Sequence, residues 1–364
     1  MRPLDCAGGA GAGFLVARKL AAVAAGGRPI VVANGAEGEP DSHKDAVLLS
    51  RAPHLVFDGL VAAAAAVGSR DCRCYVPEDS LDTLRHALAE RRAAGYREPA
   101  ITLVAAVDTF VAGEKSAVVN ALAGRAPVPS DRTVSLSHSG LGGRPTLVQN
   151  VETLAQIALI ARYGPQWFRA VGAREEPGTR LISLSGTRIG GVFEVPSGIR
   201  LAEIVGGPGG TDPASVAAVL VGGWHGSWIP RAALETAALS GEGLRGWGAN
   251  PGAGVLRVLP HGRCGLRVTA EITTYLAAAG AGQCGPCRFG LPTLAARFAE
   301  LVAGPGDPGE IARIAGLVDG RGACHHPDGT ARLVRSALAV FAGEIERHRH
   351  GRCCGDVRLR TGVA

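Results

Sequence analysis

Between residues 28 and 107, short apolar runs alternate with longer stretches of helical period, and this alternation is what most narrows the folds open to the chain. The β-branched run Pro29 to Ala33 leads through a Gly/Pro loop into a helical stretch, Pro53 to Gly68. Arg73 to Val76 then reads as a strand, Asp79 to Gly95 as a charged amphipathic helix opened by an Asp cap, and Ala100 to Val107 as a buried strand. A βαβα order implies a parallel sheet with helices on both faces. Ligands of such sheets bind at the loops that follow the strand C-termini. The expected class is α/β, with a Rossmann-like parallel-sheet domain first.

After a loop rich in Pro, Ser and Gly (Arg125 to Pro145), a helix is expected from near Asn150 to about Tyr163. Between Gly178 and Pro230 the texture becomes β-rich, with short strands at Leu181 to Ser185, Val192 to Val195 and Val219 to Val221. From Gly265 the period is helical: Leu266 to Ala278, Leu291 to Val302, Glu310 to Val318 and Thr330 to Arg347. At roughly 100–200 residues per domain, 364 residues allow two or three domains. The expected division is 1–177 α/β, 178–262 small β domain, 263–348 helical bundle and 349–364 flexible tail.

Composition removes several function classes. The richest apolar stretch, Leu55 to Val67, is interrupted by Asp58 and is shorter than the roughly 20 residues a bilayer needs, so no membrane insertion is expected. The first residues lack the apolar run of a secretory signal, which points to a cytoplasmic protein whose nine cysteines are thiols or metal ligands rather than disulfides. The formal charge of +6 is spread over arginines interleaved with acids, and aromatics are 4%, so no nucleic-acid partner is expected. Only three residues are lysine, Lys19, Lys44 and Lys115, and each falls in or beside a glycine-rich or strand-end loop.

Five segments carry candidate chemistry. Gly8-Gly9-Ala10-Gly11-Ala12-Gly13-Phe14 runs into a helix bearing Lys19; small residues let backbone N–H groups close on a phosphate at a helix N-terminus, and an ammonium adds charge. In a chain rich in Ala and Gly, with no strand before it, the same run is equally an ordinary loop. Asn34-Gly35-Ala36-Glu37-Gly38-Glu39-Pro40, followed by Lys44-Asp45, crowds carboxylates, an amide and a lysine at the end of the first clear strand. Phe110-Val111-Ala112-Gly113-Glu114-Lys115-Ser116 follows the third strand into a helix. Gln149-Asn150-Val151-Glu152-Thr153 places amides at a helix start, where a cap is the simplest reading.

The fifth segment is Gln283-Cys284-Gly285-Pro286-Cys287-Arg288, with Cys324-His325-His326 further on. A C-x-x-C spacing turns two thiolates toward one metal, and Gly and Pro between them free N–H groups to bond sulfur. A redox pair needs a thioredoxin-like setting, and this one lies between two helices. Cys284, Cys287 and Cys324 are therefore metal-ligand candidates, for an iron–sulfur cluster or, with His325, for a Cys₃His zinc site. Cys6, Cys72, Cys74, Cys264, Cys353 and Cys354 are read as unligated thiols, Cys264 being the one for which a place near the metal stays open.

In this order the five segments resemble the NADH-oxidising flavoprotein subunit of respiratory complex I, which also occurs in NAD-linked hydrogenases and formate dehydrogenases. The resemblance spans almost the whole chain, to about Arg347. The family's R-G-R-G-G-A-G-F aligns with Ala7 to Phe14, both arginines being absent; N-A-D-E-S-E-P aligns with Asn34 to Pro40, Ala36 replacing the aspartate. G-A-Y-I-C-G-E-E-T aligns with Asp108 to Ser116, with Phe110 for tyrosine and Lys115 for the second glutamate, and N-N-V-E-T-L with Gln149 to Leu154. At the metal, the family's first cysteine is replaced by Ala281.

The resemblance implies FMN, NADH (or NADPH) and a cluster, either [4Fe–4S] with a non-cysteine fourth ligand or [3Fe–4S], and a β-grasp fold for the small domain. It implies that Gly8, Gly11, Gly13 and Lys19 cradle the FMN phosphate, that Asn34, Gln149 and Asn150 bond its polar groups, and that Phe14 stacks on adenine. Glu37 would accept hydrogen bonds from the nucleotide, with Glu39, Phe110, Glu114 and Lys115 around it. Flavin carries the chemistry and no side chain acts as an acid or base. The implied partner is an electron-carrier protein, ferredoxin-like or a thioredoxin-like [2Fe–2S] subunit, which could hold the chain at the inner face of a membrane. A scaffold subunit with zinc or no metal, and a flavin-only diaphorase, stand as the alternative functions.

Overall fold

Ile30–Asn34 is buried along its whole length, and it forms the inner strand β1 of the first sheet. The computed structural model describes residues 16–131 and 134–353. β1 pairs in parallel with β2 (Asp71–Val76) on one side and β4 (Thr146–Asn150) on the other, and β3 (Ala100–Ala105) adds to β2. The order is β3-β2-β1-β4. The sequence reads β3 as buried; as an edge strand it carries only exposed and half-buried residues.

Helices cover both faces. α1 (Val16–Ala24), α3 (Pro53–Val67), α4 (Leu81–Ala93) and α6 (Val151–Tyr163) pack on the face of Val31, Ala33, Cys72 and Cys74, with α2 (Lys44–Arg51) at the strand ends. α5 (Lys115–Leu122) lies on the opposite face, against Ile30, Val32 and Tyr75. Gly59 lets α3 and α6 close: a Cβ there would stand 1.8 Å from the Leu154 carbonyl. α4 does not start on an aspartate cap. A 3₁₀ turn, Glu78–Ser80, precedes it, and Ser80 makes no side-chain cap bond. Asn150 does cap α6, its Oδ1 accepting the Glu152 N–H at 3.0 Å.

A short α7 (Pro165–Arg169) leads to a five-stranded mixed sheet in the order β6-β5-β9-β7-β8. It comprises β5 (Thr179–Ser185), β6 (Gly191–Pro196), β7 (Val216–Val221), β8 (Ser227–Pro230) and β9 (Val255–Pro260). Only β5 and β9 pair in parallel. One face packs on α8 (Leu201–Gly206) and α9 (Gly241–Arg245). The other, through Ala218, Leu220 and Trp228, packs on the C-terminal helices. These are α10 (Gly265–Ala278), α11 (Leu291–Ala303), α12 (Pro308–Val318), α13 (His326–Val340) and α14 (Ala342–Arg349). The single helix expected from Thr330 to Arg347 is two, broken at Phe341, whose backbone leaves helical geometry to bury the ring against Trp228. The expected tail falls largely outside the described residues; Cys353, at its start, packs against the helical core. Among the described residues no single helix is long and apolar enough to cross a membrane.

Candidate flavin and cluster sites

The C-terminal ends of β1 and β4 open into a cavity of about 630 Å³. Lys19, Asn34, Glu37, Glu39, Phe110, Glu114, Lys115, Gln149 and Asn150 all line it, as does Lys44, so every lysine of the chain faces this one space. Gly8, Gly11, Gly13 and Phe14 lie outside the described residues.

The cavity floor is a lattice of internal bonds. Asn34 Nδ2 donates to the Gly113 carbonyl at 2.9 Å, and Asn34 Oδ1 accepts the Ala36 N–H at 3.2 Å. Asn150 Nδ2 donates to Asp45 Oδ2 at 2.6 Å. Lys44, fully enclosed, reaches Asp45 at 2.5 Å, Glu152 at 3.0 Å and Asn150 Oδ1 at 3.1 Å. The two carboxylates hold the Lys44 ammonium above its ordinary range although burial opposes it. Both asparagines expected to meet the flavin are thus engaged within the protein.

Two carboxylates also have structural duties. Glu37 accepts the Asp45 and Ala46 N–H groups at the start of α2, each at 3.1 Å, and Ser42 Oγ at 2.5 Å. Glu114 caps α5, accepting the Ser116 N–H at 2.7 Å and that of Ala117 at 3.2 Å. Lys115, the next residue, lies beside Lys19. Burial and the neighbouring Lys115 charge lower Lys19 to about 8.

What the protein leaves unsatisfied shows what the cavity is built to receive. Gln149 Nε2 and Glu39 Oε1 are buried without a partner among the described residues. Glu39 Oε2 accepts the Trp224 N–H at 3.0 Å, and although the residue is partly exposed, its enclosed carboxyl is pushed up to about 8 by burial. An amide donor, a neutral carboxyl and paired ammonium groups match a polar heterocycle that carries a phosphate.

The residues overlooked in the sequence are Lys44 in its buried role and the second-sheet loop Gly222-Gly223-Trp224-His225-Gly226, which walls the cavity from 185 residues beyond Glu39. Its glycine run flanking Trp and His was the available signal. His225 is half-buried, bonds His326 at 3.0 Å and meets the Phe110 ring edge-on at 4.7 Å between centroids. Phe110, which lines the cavity, also meets the ring of His326, two residues beyond Cys324, at 5.4 Å between centroids.

Cys284 and Cys287 flank the turn before α11, and Cys324 precedes α13. Burial opposes ionisation of Cys284, yet the Cys287 and Ala323 N–H groups hold its thiol below the ordinary range. Burial and then the Cys284 charge push Cys287 up to about 12, and burial raises Cys324. Three thiols that resist joint ionisation, with N–H groups on sulfur, suit a cationic centre between them. His325 is 98% exposed and pairs with Asp328 at 3.1 Å, so it does not complete a zinc site with them. Cys264 stands at the opposite end of the 14-residue α10, about 20 Å from the loop at 1.5 Å per residue, which closes the option that it lies near this metal.

A cleft lined by lysines and orphaned polar atoms, with three cysteines from two loops nearby, defines a class of flavin- and cluster-binding electron-transfer proteins. The Nuo51 FMN-binding domain matches residues 2–159, and the NADH-ubiquinone oxidoreductase-F iron-sulfur binding region matches residues 267–348. The NADH-quinone oxidoreductase F 2 subunit of Rhizobium meliloti is 31% identical over 369 residues, covering 95% of this chain and 87% of its own. The NADH-quinone oxidoreductase F subunit of Streptomyces coelicolor is 32% identical over 367 residues, covering 95% and 81%. An NAD⁺-reducing [NiFe]-hydrogenase in the H₂-reduced state superposes with a TM-score of 0.87 at 28% identity; the match takes in 95% of this chain but spans only 61% of the hydrogenase chain. The chain belongs to the family of NADH-quinone oxidoreductase F subunits.

Proposed function

We propose that the chain oxidises a reduced nicotinamide dinucleotide, with FMN in the cleft and an iron–sulfur cluster on Cys284, Cys287 and Cys324, and delivers electrons to a partner carrier subunit. Bound flavin supplies the conversion of a two-electron hydride into single electrons, which the cluster takes up. The observation that carries the reading is the cleft itself, where all three lysines and two of the orphaned buried side-chain atoms, Glu39 Oε1 and Gln149 Nε2, converge.

Lys19 and Lys115 hold the phosphate end, and their mutual repulsion is relieved when an anion enters between them. Gln149 Nε2 and the Glu39 carboxyl fix the heterocycle by hydrogen bonds that nothing else among the described residues makes. Phe110, backed by His225 and His326, excludes water between cleft and cluster. Glu37 and Glu114 present helix starts toward the cleft, so their share in binding nucleotide is to set the loops rather than to offer free carboxylates. The carrier is read as a ferredoxin-like or thioredoxin-like [2Fe–2S] subunit, through which the chain would sit at a membrane complex. Ala281, where a fourth cysteine would stand, favours a flavin-only diaphorase as the second reading.

The test is anaerobic reconstitution with FMN and with iron and sulfide, then NADH- and NADPH-dependent ferricyanide reduction by wild type and Lys115→Glu. Flavin reduced by nucleotide, with iron retained, is the expected result. Flavin that neither nucleotide reduces in either protein would sink the reading, and reduction with no iron retained would select the diaphorase.

A further inference from the structure

The donor atoms of Cys264, His348 and Cys353 lie within 4.8 Å of one another, and theirs is the one such group among the described residues. They come from three places: the N-cap of α10, the last turn of α14, and the residues just beyond it. We propose that Cys264, His348 and Cys353 bind a single Zn²⁺ ion, separate from the cluster site at the other end of α10.

The histidine is already set for it. His348 is buried, and its Nδ1 lies 2.6 Å from the Val302 carbonyl. A carbonyl only accepts, so Nδ1 carries the proton and Nε2 keeps its lone pair. That Nε2 points at Cys264 Sγ, 3.3 Å away, close to the ligand spacing around a tetrahedral ion. A carbonyl behind the ring that fixes the tautomer in this way is typical of zinc-bound imidazole.

The sulfur is equally prepared. Cys264 Sγ accepts the Arg267 N–H at 3.5 Å, so the first turn of a 14-residue helix already turns a backbone donor to this sulfur. Glu344 Oε2 lies 3.6 Å from the same sulfur and is held by the Gly265 N–H at 3.0 Å; it stands outside the group of three mutually close donors, so a water or a rotated Glu344 would complete a tetrahedral ion. Two thiolates and an imidazole, with a fourth position left to an oxygen donor, are a ligand set that zinc selects. Binding releases two thiol protons to solvent and involves no redox change. The ion would tie positions 84 residues apart, fastening α14 to the start of the helix whose far end leads into the cluster loop.

The test uses full-length protein expressed with zinc and iron, rinsed with chelator and analysed for both metals. Wild type should hold about one zinc per chain, and Cys264→Ser, His348→Ala and Cys353→Ser should each lower zinc retention about tenfold or more with iron unchanged. Cys287→Ala should do the reverse, losing iron and keeping zinc. Because a variant can fail to fold, wild type stripped of zinc is also titrated with Co²⁺, where intense thiolate-to-cobalt charge-transfer and tetrahedral bands are expected. Absence of zinc from wild type together with absence of those bands, zinc unaffected by the three substitutions, or a Cys264–Cys353 disulfide found by peptide mapping would each overturn the proposal.

Discussion

Glu39 Oε2 accepts the backbone N–H of Trp224 at 3.0 Å, a bond across 185 residues that ties the loop after β1 to the second sheet. Burial raises this carboxyl to about 8. An acid raised on folding binds more protons folded than unfolded between its ordinary value near 4.5 and about 8, so its contribution is complete below that window and is lost as pH climbs through it. Glu39→Gln keeps an acceptor for Trp224 and cannot ionise. Its melting temperature should therefore fall less than that of wild type between about pH 5 and about pH 8.5. Parallel melting curves for the two proteins would refute the assignment.

Lys19, lowered to about 8 by burial and by Lys115, should lose its charge within an accessible range. Anion affinity is highest while it is protonated, so FMN binding, read by quenching of flavin fluorescence, should weaken from about pH 7 to about pH 9. Lys115→Met removes the like charge and raises the Lys19 pKa. The variant should bind FMN more weakly near neutrality and lose less affinity on going to high pH. An unchanged pH profile in Lys115→Met would separate the two ammonium groups.

Lys44 is 3% exposed and is the counter-ion of both Asp45 and Glu152. Lys44→Met would leave two enclosed carboxylates facing each other, and removing one partner of a buried ion group costs about 3–5 kcal/mol. Urea unfolding should show a free energy of unfolding lower by that order, with FMN retention lost as the cavity floor loosens. A stability equal to wild type would mean that water already screens the group.

Gly38 sits against the third-strand loop, where a Cβ would stand 2.5 Å from the Thr109 carbonyl and 2.7 Å from that of Phe110. Backbone cannot yield as a flexible side chain can, so Gly38→Ala must push the two loops apart, at about 1–3 kcal/mol. Flavin affinity should fall with stability, as measured by titration and by thermal melting. Gly27→Ala, with nothing near its added carbon, is the matched control and should retain both.

Much of this protein is written locally. Strand and helix period from Ile30 to Ala105, the Asn150 cap, the turn between Cys284 and Cys287 and the placing of three lysines at loop positions all depend on residues within a turn or two of one another. Such features are set by backbone sterics and nearest hydrogen-bond partners, and the chain order alone reveals them. Which carboxylate is free is another matter. Glu37, Glu39 and Glu114 look alike in sequence, yet two cap helices and the third keeps an orphaned oxygen, because only packing decides where N–H groups and low-polarity walls fall. The same holds for β9, inserted between β5 and β7 from far along the chain, for β3, half-exposed because nothing among the described residues pairs beyond it, and for Cys264, which a rigid α10 carries away from the cluster loop toward His348 and Cys353. Long-range pairing is a competition among distant segments for buried area and hydrogen bonds, and its outcome exists only once the tertiary fold has formed.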